Sequence, residues 1–180
     1  CSSDLWQRGT SINTSSTNVY SADRWSTSNG SGVGFTVSRQ VTGDTTNLPN
    51  IQYCARVQRN SGNTNTANFY FLQSMETINS IPLAGKTVTL SFYARKGTNF
   101  SSTSNLLAAA FTTGTGTDQS LATGYTGQSD TSTTVTLTTT WQRFTLTGTI
   151  SSSATEIGIY FTYAGTGTAG TNDYYEITGV

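Results

Sequence analysis

The feature that most constrains this chain is a two-residue alternation of apolar and polar side chains, repeated along its length. Within residues 86–95, Val88, Leu90, Phe92 and Ala94 point one way, and Thr87, Thr89, Ser91, Tyr93 and Arg95 the other. Ile51, Tyr53, Ala55 and Val57 alternate with Gln52, Cys54, Arg56 and Gln58, and Ile157, Ile159, Phe161 and Tyr163 with Gly158, Tyr160 and Thr162. Phe144, Leu146 and Ile150 extend the pattern after Trp141. Successive side chains of a strand leave opposite faces, so this period predicts antiparallel sheets with one wet and one dry face. Further strands are predicted over 5–8, 20–26, 33–41, 69–76, 106–112, 133–139 and 174–180. Roughly ten short strands separated by turn residues such as Asn29-Gly30 and Ser61-Gly62-Asn63 predict an all-β sandwich or barrel.

Composition supports an ordered β domain. Ser and Thr supply about a third of the 180 residues, which alone would suit a disordered polar tract. Eight Phe, nine Tyr and three Trp argue otherwise, because they carry the apolar surface that offsets ordering entropy. With no linker and no internal repeat, residues 1–180 read as a single domain, trimmed from a longer polypeptide. Cys1 followed by Ser2-Ser3 also fits the start of a mature lipoprotein, although strand-like sequence follows it at once.

Nine basic and nine acidic residues cancel, leaving no electrostatic footprint for nucleic acid or an anionic membrane. No apolar run approaches the roughly 18 residues that a spanning helix requires. The chain has no His, which removes the commonest general base and the Ser-His-Asp and Cys-His nucleophile pairs. A carboxylate pair is the hydrolytic arrangement that remains, and several acids (Asp44, Asp118, Asp130) lie in turn-like contexts. The expectation is a protein that binds or builds, not an enzyme. Cys1 and Cys54 are either two thiols or a bridge worth about 4 kcal/mol in the chain-entropy model. Asn13, Asn29 and Asn99 begin Asn-X-Ser/Thr triplets, at a frequency expected by chance in so Ser/Thr-rich a chain.

Two groups of residues are candidates for binding. Tyr93 with Arg95, Tyr70 with Gln73, and Tyr160 are either cross-strand packing partners or a platform for sugar rings, whose apolar faces lie flat on aromatic side chains. Asp4, Asp173 and Glu176, near the two chain ends, are either oxygen ligands for calcium or salt-bridge partners of Arg8 or Arg24. Residues 113–130 form a Gly/Thr/Ser stretch beyond hairpin length, and loops that long are usually functional or mobile.

A family pattern adds to this reading. Trp6-Gln7-Arg8-Gly9-Thr10-Ser11, Tyr20-Ser21-Ala22-Asp23-Arg24-Trp25 and Val37-Ser38-Arg39-Gln40 occur in order. Val57-Gln58-Arg59, Leu72-Gln73-Ser74-Met75-Glu76, the block from Leu83-Ala84-Gly85 to Tyr93-Ala94-Arg95, Trp141-Gln142-Arg143 and Tyr174-Tyr175-Glu176-Ile177-Thr178-Gly179-Val180 follow. The series resembles jelly-roll domains in virion proteins of tailed bacteriophages, the marine and cyanophage type above all. The central block is also similar to carbohydrate-binding modules of the galactose-binding-like class.

The resemblance implies a two-sheet antiparallel β-sandwich of jelly-roll type, displayed on a virion exterior as a decoration or fibre domain. It implies other virion subunits as partners, copies of the chain itself among them as a homo-oligomer, and contact with cell-surface glycans. It also implies scaffold roles for Trp6, Arg8, Asp23, Arg24, Trp25 and Trp141, with the two N-terminal Trp covering one end of the sandwich and guanidinium groups stacked beside them. The pattern's usual Asn-Gly-Asp-Phe-like opening is Cys1-Ser2-Ser3-Asp4 here. A secreted carbohydrate-binding module and a ligand-free filament subunit are the alternatives.

Overall fold

The computed structural model describes residues 6, 9–14, 18–29 and 34–180. Among these residues twelve strands form two six-stranded sheets, and every strand pair is antiparallel. The first sheet runs β1 (Ser11–Asn13), β4 (Phe35–Val41), β5 (Tyr53–Arg59), β12 (Tyr174–Thr178), β7 (Thr87–Lys96), β10 (Gln142–Thr149). The second runs β2 (Val19–Tyr20), β3 (Trp25–Asn29), β6 (Asn68–Met75), β11 (Glu156–Ala164), β8 (Leu106–Gly114), β9 (Ser129–Thr136). The chain crosses repeatedly between the sheets, as expected of a jelly-roll β-sandwich. Helix is confined to short pieces, among them α1 (Thr77–Ser80).

Most of the apolar half of the alternating segments fills the space between the sheets, Ile51 being an exception that packs on the outer side of the first sheet. Phe35, Val37, Val57, Phe69, Phe71, Phe92, Leu107, Phe161, Tyr175 and Ile177 are almost wholly buried in one cluster. Trp25 stacks on Phe71 with centroids 4.4 Å apart, Phe35 stacks on Phe69 at 3.9 Å, and Phe92 meets Phe161 edge-on at 4.9 Å. Aromatic contacts of this kind add about 0.5–1.5 kcal/mol each beyond area burial. Trp25 therefore lies inside the sandwich, in the same cluster as Trp6.

Several expected elements differ. Residues 20–26 are not one strand: Ser21 N–H donates to Trp25 O, and Trp25 N–H to Ala22 O, both at 2.9 Å, closing a tight hairpin between β2 and β3. Arg24 takes the left-handed position (φ 65°) that Gly or Asn usually fills, so the turn carried no ordinary turn signal. The 5–8 strand falls largely outside the described residues. β1 escaped notice because Ser11-Ile12-Asn13 is mostly polar; it pairs along the edge of β4. β9 begins at Ser129, earlier than expected, because a run of Ser and Thr gives little apolar phase to read.

At one end of the sandwich the side chain of Arg59 is fully buried. Its Nη1 donates to Asp173 Oδ2 (3.1 Å) and Ser101 Oγ (2.8 Å), and its Nη2 to the carbonyls of Asn63 (2.9 Å), Asn65 (3.1 Å) and Gly167 (3.0 Å). Asp173 Oδ1 accepts from Ser101 N–H at 2.9 Å and Tyr163 O–H at 3.4 Å. Asp173 is thus held by an arginine absent from the expected pairings.

Removing the guanidinium leaves Asp173 a buried, uncompensated charge, so R59M lowers the unfolding free energy by about 3–5 kcal/mol in urea denaturation. A second prediction concerns alkali. Burial, then the nearby Asp173, pushes the Tyr163 hydroxyl well above the ordinary tyrosine range, and burial does the same for Tyr175. The unfolded chain releases these protons near pH 10, before the folded chain does. Stability is therefore intact below about pH 10 and falls as pH rises toward the folded values, by up to about 1.4 kcal/mol per pH unit per tyrosine. Denaturation midpoints measured across this range show the fall, and Y175F flattens it.

Candidate functional site

The solvent face of the first sheet is largely occupied by its own side chains. Glu176 sits between Arg56 and Arg95 in one cross-strand row, its carboxylate 2.6 Å from Arg56 Nη2 and 2.5 Å from Arg95 Nε, with no exposed side-chain surface. Arg56 stacks on Tyr174 (3.9 Å to the ring centroid) and Arg95 on Trp141 (4.8 Å). Trp141 Nε1 donates to Thr42 O at 3.1 Å, drawing the segment between β4 and β5 over the sheet, where Leu48, Cys54 and Trp141 pack with Ile51 and Tyr93. Tyr93 and Arg95 are therefore committed to packing and to an ion pair. Cys54 is buried in this cluster, and Cys1 lies outside the described residues.

Asp173 and Glu176 do not meet as ligands. They occupy opposite sides of the chain, each held by arginine, and Asp4 and Arg8 lie outside the described residues. Among the described residues no three His, Cys, Asp or Glu side chains gather to hold a metal ion. Guanidinium stacking on aromatic rings occurs in the first sheet, at Arg39 over Tyr53 (4.6 Å), Arg56 and Arg95, rather than at Arg24 on Trp25.

The solvent face of the second sheet is different. Ser28 of β3, Tyr70 and Leu72 of β6, Tyr160 of β11 and Asp130 of β9 line a depression of about 220 Å³ together with Leu121, Gly124 and Gln128. Tyr70 and Tyr160 meet edge to face, with centroids 5.5 Å apart and planes at 75°. Tyr160 O–H donates to Asp130 Oδ2 at 3.0 Å, while Thr112 Oγ1 (2.8 Å) and Gln128 Nε2 (3.3 Å) donate to Oδ1. Burial first, then the bond to Asp130, keeps the Tyr160 hydroxyl protonated far above the usual tyrosine range. Two half-buried rings, an exposed carboxylate and an exposed amide can together contact a hydroxyl-rich ligand with an apolar ring face. Gln73 is excluded from this surface: three residues from Tyr70, it points to the opposite side of β6 and is buried against Trp25.

One wall is the 115–128 loop, which folds back on the sheet and is pinned there. Thr77 N–H donates to Asp118 Oδ1 (2.9 Å) and Asp118 N–H to Thr77 Oγ1 (2.8 Å). Leu121 N–H donates to Ser74 Oγ at 2.9 Å, Gln119 N–H to Glu156 Oε1, and Tyr125 O–H to Ile157 O at 3.3 Å. On the other side of the loop a second depression of about 480 Å³ is lined by Tyr20, Arg24, Ser26, Ser74, Glu76 and Asp118 among others. Arg24 and Asp118 both hold left-handed backbone there (φ 65° and 49°). Arg24 thus belongs to this rim, as Trp141 belongs to the opposite sheet. Asp130 and Gln128 were missed because the first was read as a turn residue. The alternation Asp130, Ser132, Thr134 was the available signal.

No family model matches the chain, and no curated protein matches its sequence. Its fold is similar to several solved structures. The enzymatically active domain of bacteriophage CBA120 tailspike protein 4 aligns with 86% of this chain at 16% identity and a TM-score of 0.55. The chain spans only 18% of that tailspike structure. A structure of carbohydrate-binding modules from the β-sandwich superfamily aligns with 94% of this chain and 54% of its own, at 11% identity and a TM-score of 0.52. TmCBM61, solved with beta-1,4-galactotriose, aligns with 86% of this chain and 83% of its own, at 15% identity and a TM-score of 0.50. Two antiparallel sheets of carbohydrate-binding-module type are thus the fold shared with these neighbours.

Gly158 makes room for the loop. A Cβ there would stand 2.8 Å from both Leu121 Cδ2 and Tyr125 Oη and 2.9 Å from Gln73 O. G158A therefore destabilises the protein by about 1–3 kcal/mol, the usual range for overpacking. It also raises amide exchange across residues 119–125 more than in the core strands, as hydrogen exchange with mass spectrometry will show.

Proposed function

We propose that this chain is a non-catalytic, glycan-contacting domain carried on the exterior of a tailed-phage virion, as a decoration or fibre component. The observation that carries the glycan reading is the Tyr70–Tyr160 pair set beside Asp130 and Gln128 in a shallow depression of the second sheet. Small-molecule sites combine apolar contact surface with a few placed polar groups, and this depression has both. A sugar ring lies against the tyrosine pair while its hydroxyls donate to the Asp130 carboxylate or bond the Gln128 amide. A longer glycan continues along β3 and β6, from Ser28 and Leu72 to Ser26 and Ser74, into the second depression. The fold's likeness to TmCBM61, solved with a galactotriose, supports this reading.

A non-catalytic role is supported by the lack of His and by the engagement of acids in structural bonds: Asp173 and Glu176 with arginines, Asp44 and Glu76 with neighbouring asparagines. The virion setting is supported by the phage-like sequence blocks and by the likeness to the tailspike domain. A freestanding secreted module is the second reading, favoured by the extent to which TmCBM61 is covered. Light scattering separates the two: self-association supports the particle setting, with copies of this chain or other virion subunits as partners, and a monomer at all concentrations favours the secreted module. Multiplied on a particle, a weak single site gains avidity.

The glycan reading is tested on an array of neutral and acidic glycans, followed by calorimetry on any ligand retained. Y70A and Y160A each weaken binding at least about tenfold, the loss expected from removing a stacked ring. Y93A, on the opposite sheet, leaves it unchanged. Retention of no glycan, or equal loss with Y93A, would overturn the assignment.

A further inference from the structure

Glu156 opens β11 and points out of the second sheet, yet its side chain is fully buried because the 115–128 loop closes over it. Its Oε1 accepts the Gln119 N–H. Its Oε2 is buried and finds no hydrogen-bond partner among the described residues, where the ion pairs all involve Asp173 or Glu176. Buried polar atoms are nearly always satisfied, and one that is not calls for an ion, a water or a proton. A second oxygen is aimed at the same place. Gln119 Oε1 is fixed in orientation, since it accepts from Thr126 N–H at 2.7 Å while the Gln119 amide nitrogen donates to Thr126 Oγ1 at 3.0 Å. Both oxygens converge beside Gly116, where a Cβ would fall against Gln119 Oε1 and 2.7 Å from Glu156 Oε2.

Two acceptors facing one point, one of them anionic, call for a positive partner between them. The geometry points to a calcium-type cation site at the base of the 115–128 loop, with Glu156 and Gln119 as its side-chain ligands and water completing the shell. Carboxylate and amide oxygens suit a hard cation, and an irregular loop site suits calcium over magnesium, which demands near-ideal octahedral geometry. A single formal charge and two side-chain ligands place the affinity at the weak end, with a Kd of about 10⁻⁴–10⁻³ M, the range of extracellular modules. The ion would join β11 to the loop that walls both depressions. The site is distinct from Asp173 and Glu176, whose cationic partners are arginines.

The test uses the whole chain, stripped with a chelator and without any glycan, so that it stands apart from the glycan reading. Calcium chloride and magnesium chloride are titrated by calorimetry and by thermal unfolding. Calcium binds saturably and raises the midpoint by about 3–5 °C at ten times its Kd, with magnesium much weaker. E156Q removes the calcium response while remaining folded in chelator, because its amide can donate to Gln119 Oε1. Should E156Q fail to fold, Q119A supplies the second variant and weakens calcium binding at least tenfold. A wild-type chain indifferent to calcium up to about 10 mM, or a response unchanged in the variants, would overturn the site.

Discussion

The buried guanidinium of Arg59 is the interaction on which one end of this sandwich depends. Antiparallel sheets satisfy their own backbone groups, but the connections between β5 and β6 and between β11 and β12 leave carbonyls facing inward. Arg59 gathers four of them, those of Asn63, Asn65, Thr166 and Gly167, with Ser101 and Asp173, around one planar donor set. Its value lies less in net ion-pair energy, which desolvation largely cancels, than in satisfying so many acceptors at once. Tyr163 and Phe100 then pack against this anchored end, and the aromatic core begins there.

The two solvent faces illustrate how the same residue chemistry serves opposite ends. On the first sheet, arginines, Glu176 and aromatic rings saturate one another, leaving little unmet hydrogen-bonding capacity. On the second, the tyrosine pair lies in a depression, with the exposed side chains of Asp130 and Gln128 at its margin. Both faces are rich in aromatics and polar groups. What distinguishes them is exposure: the Glu176 carboxylate is fully buried between its arginines, whereas Asp130 and Gln128 remain open to solvent while bonded within the chain.

The sheets were legible in the sequence because a period of two is imposed by strand geometry itself. Tyr70 and Tyr160 were legible for the same reason, as aromatics on the polar phase of their strands. Two groupings, Tyr70 with Gln73 and Asp173 with Glu176, fail for one reason: each pair is separated by an odd number of positions, so its members leave opposite sides of an extended chain. The Arg59 cage was not legible, since most of its acceptors are carbonyls, which every residue carries. Nor was the loop's return onto the sheet, which depends on scattered bonds to Thr77, Ser74, Glu156 and Ile157 and on the space left by a missing side chain at Gly158.

That missing side chain has a consequence for inheritance. The notch under Leu121 and Tyr125 is specified by one position, where any larger residue intrudes, whereas the loop above it is specified by many small bonds. Drift at exposed loop positions such as Thr123, Thr126 and Gln128 can therefore rewrite the outer surface while Leu121, Tyr125 and the seat beneath them stay intact. A lineage carrying this domain can change what the face meets without renegotiating how the domain folds, provided that codon 158 is kept.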